Sequence, residues 1–377
     1  MKNLKWILPG MLAILFVFAS CQKENNNSED NIVPTSFKVD IPSSISDAAT
    51  MQKSAKGDTM SGGEIYEHLR NFINIGEGAA DIVQEIMIAI GQHGLNKAME
   101  LSFEGDDDGK TKNLVVVENS EFDGVNWNYQ LTMTDADSEG NDDGGIGMQI
   151  FWNSDPVKGI ALLKPANLNT LDTADWSKAT FRIDYSEAGE MGYEKHMIVS
   201  IVELPLGDAT LEPYAVSSLK MFVGKNGDIV DVYGNSNHPN ATFFNQDDQG
   251  FNWAFVASGN EVLDIAVAEV GLPMSNLDAT TRTILLEQYS IFNVFSTYIA
   301  DWYFEETQNE IPQDILDDYL QNMKAPGFFN DGGFVVAEIA PTDQYSQLED
   351  NIKLLTPYNP SSISNLTISF KSDSPTK

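Results

Sequence analysis

The runs Leu114-Val-Val-Val-Glu-Asn-Ser120 and Gly124-Val-Asn-Trp127-Asn-Tyr129 decide the fold, because both recur farther along as Ile229-Val-Asp-Val-Tyr-Gly-Asn-Ser236 and Gly250-Phe-Asn-Trp253-Ala-Phe255. Each copy reads as a strand ending in Asn-Ser, a loop, and then Gly-x-Asn-Trp-x-aromatic. Each is preceded by a short apolar strand, Leu101-Ser-Phe103 in one and Leu219-Lys-Met-Phe222 in the other. Runs of β-branched and aromatic residues bounded by Gly, Asn and Asp are strand-and-turn chemistry. Two copies with unequal loops point to a sheet built from duplicated halves. Trp127 and Trp253 are then expected at equivalent places, as core anchors.

Working outward, the same texture fills residues 98–270, with further strand runs at 147–152, 161–163, 179–185, 197–203 and 262–268. This is an antiparallel β-meander, and so many consecutive strands are more than a flat sheet carries easily. Curling into a barrel, half-barrel or sandwich is expected. Helical sections flank it. Over 61–97, Ser61 and Glu64 form a capping box, and Ile65, Leu69, Phe72, Ile73, Ala80, Val83, Met87 and Ile90 follow at helical spacing. Gly76-Glu77-Gly78 is expected to divide this section into a helical pair. Within 271–325, residues 279–304 carry apolar side chains around most of a cylinder, which predicts a long buried aromatic helix. Its stripe of Tyr289, Phe292, Phe295, Tyr298 and Trp302 reads as core packing, or as one wall of an apolar ligand pocket against a concave sheet. A shorter helix is expected over 313–323, and residues 326–377 should add closing strands at 333–339 and 366–370. The expected architecture is one α+β domain over 61–377.

The chain has 377 residues and a formal charge of −34, so it repels nucleic acid and anionic surfaces and attracts divalent cations and basic partners. With 42% hydrophobic and 10% aromatic residues it has ample apolar surface for a core. The body lacks His-Glu-x-x-His, Gly-x-Ser-x-Gly, a phosphate loop and a dinucleotide fingerprint. His68, His93, His196 and His238 show no ligand spacing. Asp135, Asp137, Glu139, Asn141 and Asp143 place oxygens at alternate positions around Gly140, like the start of a calcium loop. Ile146 stands where that pattern needs a bidentate glutamate, so the alternative is a solvated hairpin loop. Asp106-Asp107-Asp108-Gly109 reads as a hairpin turn.

At the start of the chain an apolar run from Trp6 follows Lys2 and Lys5 and closes on Phe18-Ala19-Ser20-Cys21. This resembles the signal and lipobox of bacterial lipoproteins, and Gln22-Lys23-Glu24 is similar to the surface-export tether of Bacteroidota lipoproteins. The resemblance implies a signal peptide over 1–20, lipidation of Cys21, and an outer-membrane protein exposed at the cell surface or facing the periplasm. Cys21 is the only cysteine, so no internal disulfide is available to the body. Removal of the signal takes off Lys2 and Lys5 alone among charged residues, leaving a mature chain two units more negative, at −36. Residues 21–60, rich in Asn, Ser, Asp and Lys, read as a flexible tether. The functional expectation is a lipid-anchored envelope protein that binds a ligand or partner, apolar or glycan, without cofactor. The alternatives are a surface hydrolase acting on glycans and a structural component of the envelope.

Overall fold

The computed structural model describes residues 32–47, 62–91, 98–105, 108–138, 140–169, 176–209, 214–241 and 250–372. The signal, Cys21, Gln22-Lys23-Glu24, the serine of the capping box and His93 lie outside them, as do Asp106, Asp107 and Glu139. Among the described residues thirteen strands follow one another in sheet order as they do in sequence, which is the meander read from the turns. The order is linear, with β1 and β13 as edges, so the meander is open and not a closed barrel. The chain divides into two compact units. The first draws on Met1–Val39, Gly78–Pro205 and Thr367–Lys377, and the second on Asp40–Glu77 and Leu206–Leu366.

The first unit holds β1 (Met99–Glu104), β2 (Thr111–Phe122), β3 (Val125–Asp135), β4 (Ile146–Ser154), β5 (Val157–Leu163), β6 (Thr180–Ser186) and β7 (Lys195–Val202). The second holds β8 (Ser218–Asn226), β9 (Ile229–His238), β10 (Phe251–Asn260), β11 (Ile265–Gly271), β12 (Gly327–Asn330) and β13 (Gly333–Val335). Ser120 pairs with Trp127 and Ser236 pairs with Trp253, so the two copies of the repeated motif share one register from strand end to tryptophan. Gly124 and Gly250 both open the second strand at positive φ, +72° and +84°, a conformation that a side chain resists. The preceding strands are not equivalent, since Leu101 pairs with Leu114 whereas Leu219 pairs with Ser236.

Helix α1 runs unbroken over Gly62–Gly91. The expected division at Gly76 does not occur, because this glycine serves contact: a Cβ there would lie 2.5 Å from the Met221 methyl and 3.2 Å from Leu219. Glycine lowers intrinsic helix stability by about 1 kcal/mol, and burial of the surrounding stripe offsets it. In the second unit, Tyr66 stacks on Phe334 at 5.4 Å and Phe72 meets Trp253 edge-on at 5.0 Å.

Residues 32–47 are not tether. Phe37 and Val39 are fully buried and Val33, Ile41 and Ile45 nearly so. In the first unit the Phe37 ring lies over Gly159 and 5.4 Å from the Tyr185 ring, on the face formed by Trp152, Gly159, Tyr185 and Met197. Gln84 of α1 accepts from the Phe37 amide and donates to the Thr35 carbonyl at 3.0 Å. In the second unit, Ser43 and Ser44 bond Asp264, and Arg70 reaches the Ser43 carbonyl at 2.8 Å. The apolar residues at 37, 39 and 41 alternate as an extended chain does, which the polar composition around them conceals.

The other face of each unit is covered as well. In the first, Ile368 and Phe370 pack on Phe122, Trp127, Phe151, Ile160 and Leu162. Residues 366–370 form no strand of the sheet, and the closing strands among the described residues are β12 and β13. In the second unit a π-helical turn, Thr283–Gln288, precedes α2 (Ile291–Thr307) and α3 (Gln313–Tyr319), and α4 (Asp343–Ile352) and α5 (Pro360–Ser364) follow β13. Leu285, Leu286, Tyr345, Leu348 and Ile352 close over Ala254, Val256, Val267 and Phe328. Covering on both faces is why β10 is buried along nearly its whole length instead of alternating.

The long aromatic helix is not buried on most sides. The chain breaks at Tyr289, Ser290 caps α2 by accepting from the Asn293 amide, and only Ile291, Phe295 and Ile299 of α2 are buried. Polar side chains at Asn293, Thr297 and Asp301 keep the remaining faces in solvent.

Candidate functional site: a buried histidine cluster

The shared register makes the two copies a natural comparison. In the first, Asn119, Ser120, Glu121 and Phe122 alternate between exposed and buried, as a strand covered on one side does. In the second, Asn235, Ser236, Asn237 and His238 are all buried. Polar groups enter an interior only when hydrogen-bonded, so four in a row require an account.

On the face toward α1, Ser236 and His238 point the same way, because side chains two apart on a strand share a side. Their Oγ and Nε2 are 2.7 Å apart, and His238 Nδ1 lies 2.9 Å from the Tyr214 carbonyl. A carbonyl only accepts, so Nδ1 carries the proton and the Ser236 hydroxyl donates to Nε2. Burial pushes the His238 imidazole down to about 3, outweighing the Tyr214 hydrogen bond, and the nearby His68 ring pushes the same way. Phe72 stands 4.7 Å from the His238 ring, and Trp253 5.8 Å from it. His68, on α1, packs against Tyr214 and Trp253, and burial lowers its imidazole too. Its Nδ1 and the Trp253 Nε1 are buried and find no hydrogen-bond partner among the described residues. In the first copy the equivalent indole nitrogen of Trp127 donates to the Phe122 carbonyl at 3.3 Å.

On the opposite face Asn237 donates to Asn252 at 2.9 Å and to the Ser275 and Ser364 hydroxyls, and accepts from Ser217 at 2.6 Å. Asn252 in turn donates to the Pro360 carbonyl at 2.9 Å, so this network fastens α5 to the sheet. Asn235 is fully buried with neither amide atom partnered among the described residues.

A serine hydroxyl donating to a neutral imidazole is the geometry of an activated nucleophile. Here both side chains are fully buried, and the ring's second nitrogen is held by a main-chain carbonyl with no carboxylate to stabilise an imidazolium. The pair therefore ties the segment carrying Tyr214 to the end of β9.

The acidic loop is arranged differently from a calcium cage. Asp135 is fully buried and pairs with Lys112 at 2.7 Å, and Asp108 takes the same ammonium at 2.8 Å. Asp137 pairs with Lys110 at 2.6 Å. Asp143 pairs with Lys164 and accepts from Asn167 at 2.9 Å; the lysine and the amide hold its carboxyl below the usual carboxylate range despite the cost of partial burial. Asn141 is exposed, and its described bonds are main-chain ones to Ser138 and Gly144. Lysines brought in from outside the loop replace the cation that the loop's own sequence lacks, and Asp135, Asp137 and Asp143 turn to three different ones. Among the described residues no group of three or more His, Cys, Asp or Glu side chains could hold a metal ion.

The aromatic stripe is dispersed too. Phe295 is buried, Tyr289, Phe292 and Tyr298 are half-buried, Trp302 is 47% exposed, and Lys324 sits 5.7 Å over the Phe292 ring. Sequence reasoning took Asn235-Ser236 as the end of a repeated strand and His238 as a histidine without ligand spacing, and did not join them as one buried polar run; the signal for it was His238 standing where the first copy has Phe122. Comparison of the chain with protein-family models, with curated proteins and with solved structures finds no match.

Proposed function

We propose that the protein is a lipid-anchored component of the bacterial outer membrane that works by binding a partner and catalyses no reaction. The observation that carries the non-enzymatic part is where the reactive groups lie. Ser236 and His238 are sealed between the sheet and α1, and Lys112 is sealed with Asp108 and Asp135. Groups placed in this way fix structure, whereas a catalyst must bring such groups to a substrate. The anchoring part rests on Phe18-Ala19-Ser20-Cys21 and the apolar run before it. Among the described residues no helix is long and apolar enough to cross a membrane, which fits attachment by lipid. Display at the cell surface rests on Gln22-Lys23-Glu24.

The test is metabolic labelling with a fatty acid in cells making the native chain or Cys21→Ser. Label on the native chain and none on the variant is expected, and label surviving in the variant removes the anchor. Incubation of the purified protein with a glycan panel should yield no product; release of sugar would replace the binding reading with the hydrolase one.

A further inference from the structure

From residue 301 to residue 319 every side chain is exposed or half-buried, although this stretch holds the end of α2 and all of α3. Helix α3 has seven residues and buries none of them. Isolated helices that short are marginal in water, so a stable α3 needs apolar cover from somewhere. Its apolar side chains face solvent: Ile315 and Tyr319 are each 37% exposed and, four apart, share one side of the helix. On α2, Tyr298 and Trp302 are likewise four apart, and Phe304 is 51% exposed. Single exposed apolar residues are ordinary, but several on one short helical arm mark an interaction surface.

The charge of this arm selects the partner. Seven carboxylates lie between Asp301 and Asp318, and no lysine or arginine occurs between Arg282 and Lys324. A second copy would bring the same seven carboxylates against these, and an anionic lipid surface would be repelled in the same way. We infer that residues 298–319 form a docking surface for a cationic amphipathic segment of a protein partner, whose apolar side chains cover Trp302, Ile315 and Tyr319 while its lysines or arginines meet the flanking carboxylates. Apolar anchors then supply affinity, and the charges supply orientation and association rate. This deepens the binding reading above and rests on it, naming the surface and the partner chemistry.

The full-length protein is titrated with a fluorescently labelled amphipathic peptide of leucine and lysine, about 14 residues or four helical turns long. Leucine–glutamate and serine–lysine peptides of the same length serve as comparators. The leucine–lysine peptide should bind at least about tenfold more tightly than either comparator, and the double variant Trp302→Ala, Tyr319→Ala should lose about tenfold, as expected for removal of aromatic anchors. Val262→Ala with Leu263→Ala, at the exposed turn after β10, should leave binding unchanged. Equal affinity for the serine–lysine peptide, no response to the double variant, or no binding at all would overturn the inference. Sedimentation showing a dimer that the double variant abolishes would assign the surface to a second copy instead. All four side chains are substantially exposed, so the variants should melt with the native chain. Failure here would leave the Cys21 labelling result untouched, and failure of labelling would leave this surface standing.

Discussion

His238 should make stability fall as pH falls, and by an amount the structure fixes. The imidazole titrates near 6.5 in an unfolded chain and at about 3 when folded, because burial penalises the cation more than the Tyr214 carbonyl favours it. Above pH 6.5 the ring is neutral in both states and costs nothing. Between pH 6.5 and 3 the unfolded chain binds a proton that the folded one refuses, so stability drops by about 1.4 kcal/mol per pH unit. That amounts to roughly 2 kcal/mol at pH 5 and approaches about 5 kcal/mol below pH 3. The groups around the ring are the Ser236 hydroxyl, the Tyr214 carbonyl and His68, which is lowered by burial and so adds in the same sense, with Glu64 opposing it. His238→Gln offers an amide N–H to Tyr214 and an oxygen to Ser236 without titrating. Urea unfolding of both proteins from pH 7.5 to 5 should show the native chain losing about 2 kcal/mol more than the variant. Parallel stability curves, or an NMR titration placing the His238 imidazole above 6, would refute the account.

Two further outcomes test the corrected parts of the fold. Phe37→Ala should destabilise the first unit by about 3–5 kcal/mol, the loss of a fully buried phenylalanine, where a tether residue would cost nothing measurable in thermal or urea unfolding. Lys112→Met removes the buried ammonium that Asp108 and Asp135 share and should cost about 3–5 kcal/mol, against less than about 1 for Lys110→Met at the exposed pair with Asp137. If the two lysine variants unfold alike, the interior position of the Lys112 group is wrong.

Much of the sheet was legible because its signals are local. Gly124 and Gly250 sit where positive φ is required, the β-branched runs between turns became strands, and the matched Asn-Ser and Trp positions reproduced one register. Features decided by distant partners were not legible. Gly76 looks like a helix breaker until Met221 is seen against it, and Phe37 looks like part of a linker until Gly159, Tyr185 and Gln84 enclose it. Trp302 looks like core because a helical projection shows which side chains share a face but not which face meets the protein. The acidic loop looked cation-seeking because Lys110, Lys112 and Lys164 lie outside it. Helix α4 was within reach, since Tyr345, Leu348 and Ile352 keep helical spacing.

The difference between the two copies bears on why the second is polar inside. Phe122 stacks on Phe151 at 4.4 Å, and Trp127 has its hydrogen bond, so the first copy satisfies packing and polarity together. The second places Ser236 and His238 there, a hydrogen-bonded pair whose net contribution is about 1 kcal/mol, and leaves His68 Nδ1 and Trp253 Nε1 without described partners. Each unpartnered buried group costs about as much as the pair contributes. Core stability alone therefore favours Phe122 over His238. What His238 adds that a phenylalanine cannot is direction: Nδ1 must face the Tyr214 carbonyl and Nε2 must face Ser236. That constraint fixes the segment carrying Tyr214 against the end of β9, so losing it in His238→Phe should loosen residues 214–217 in hydrogen exchange even where packing is preserved.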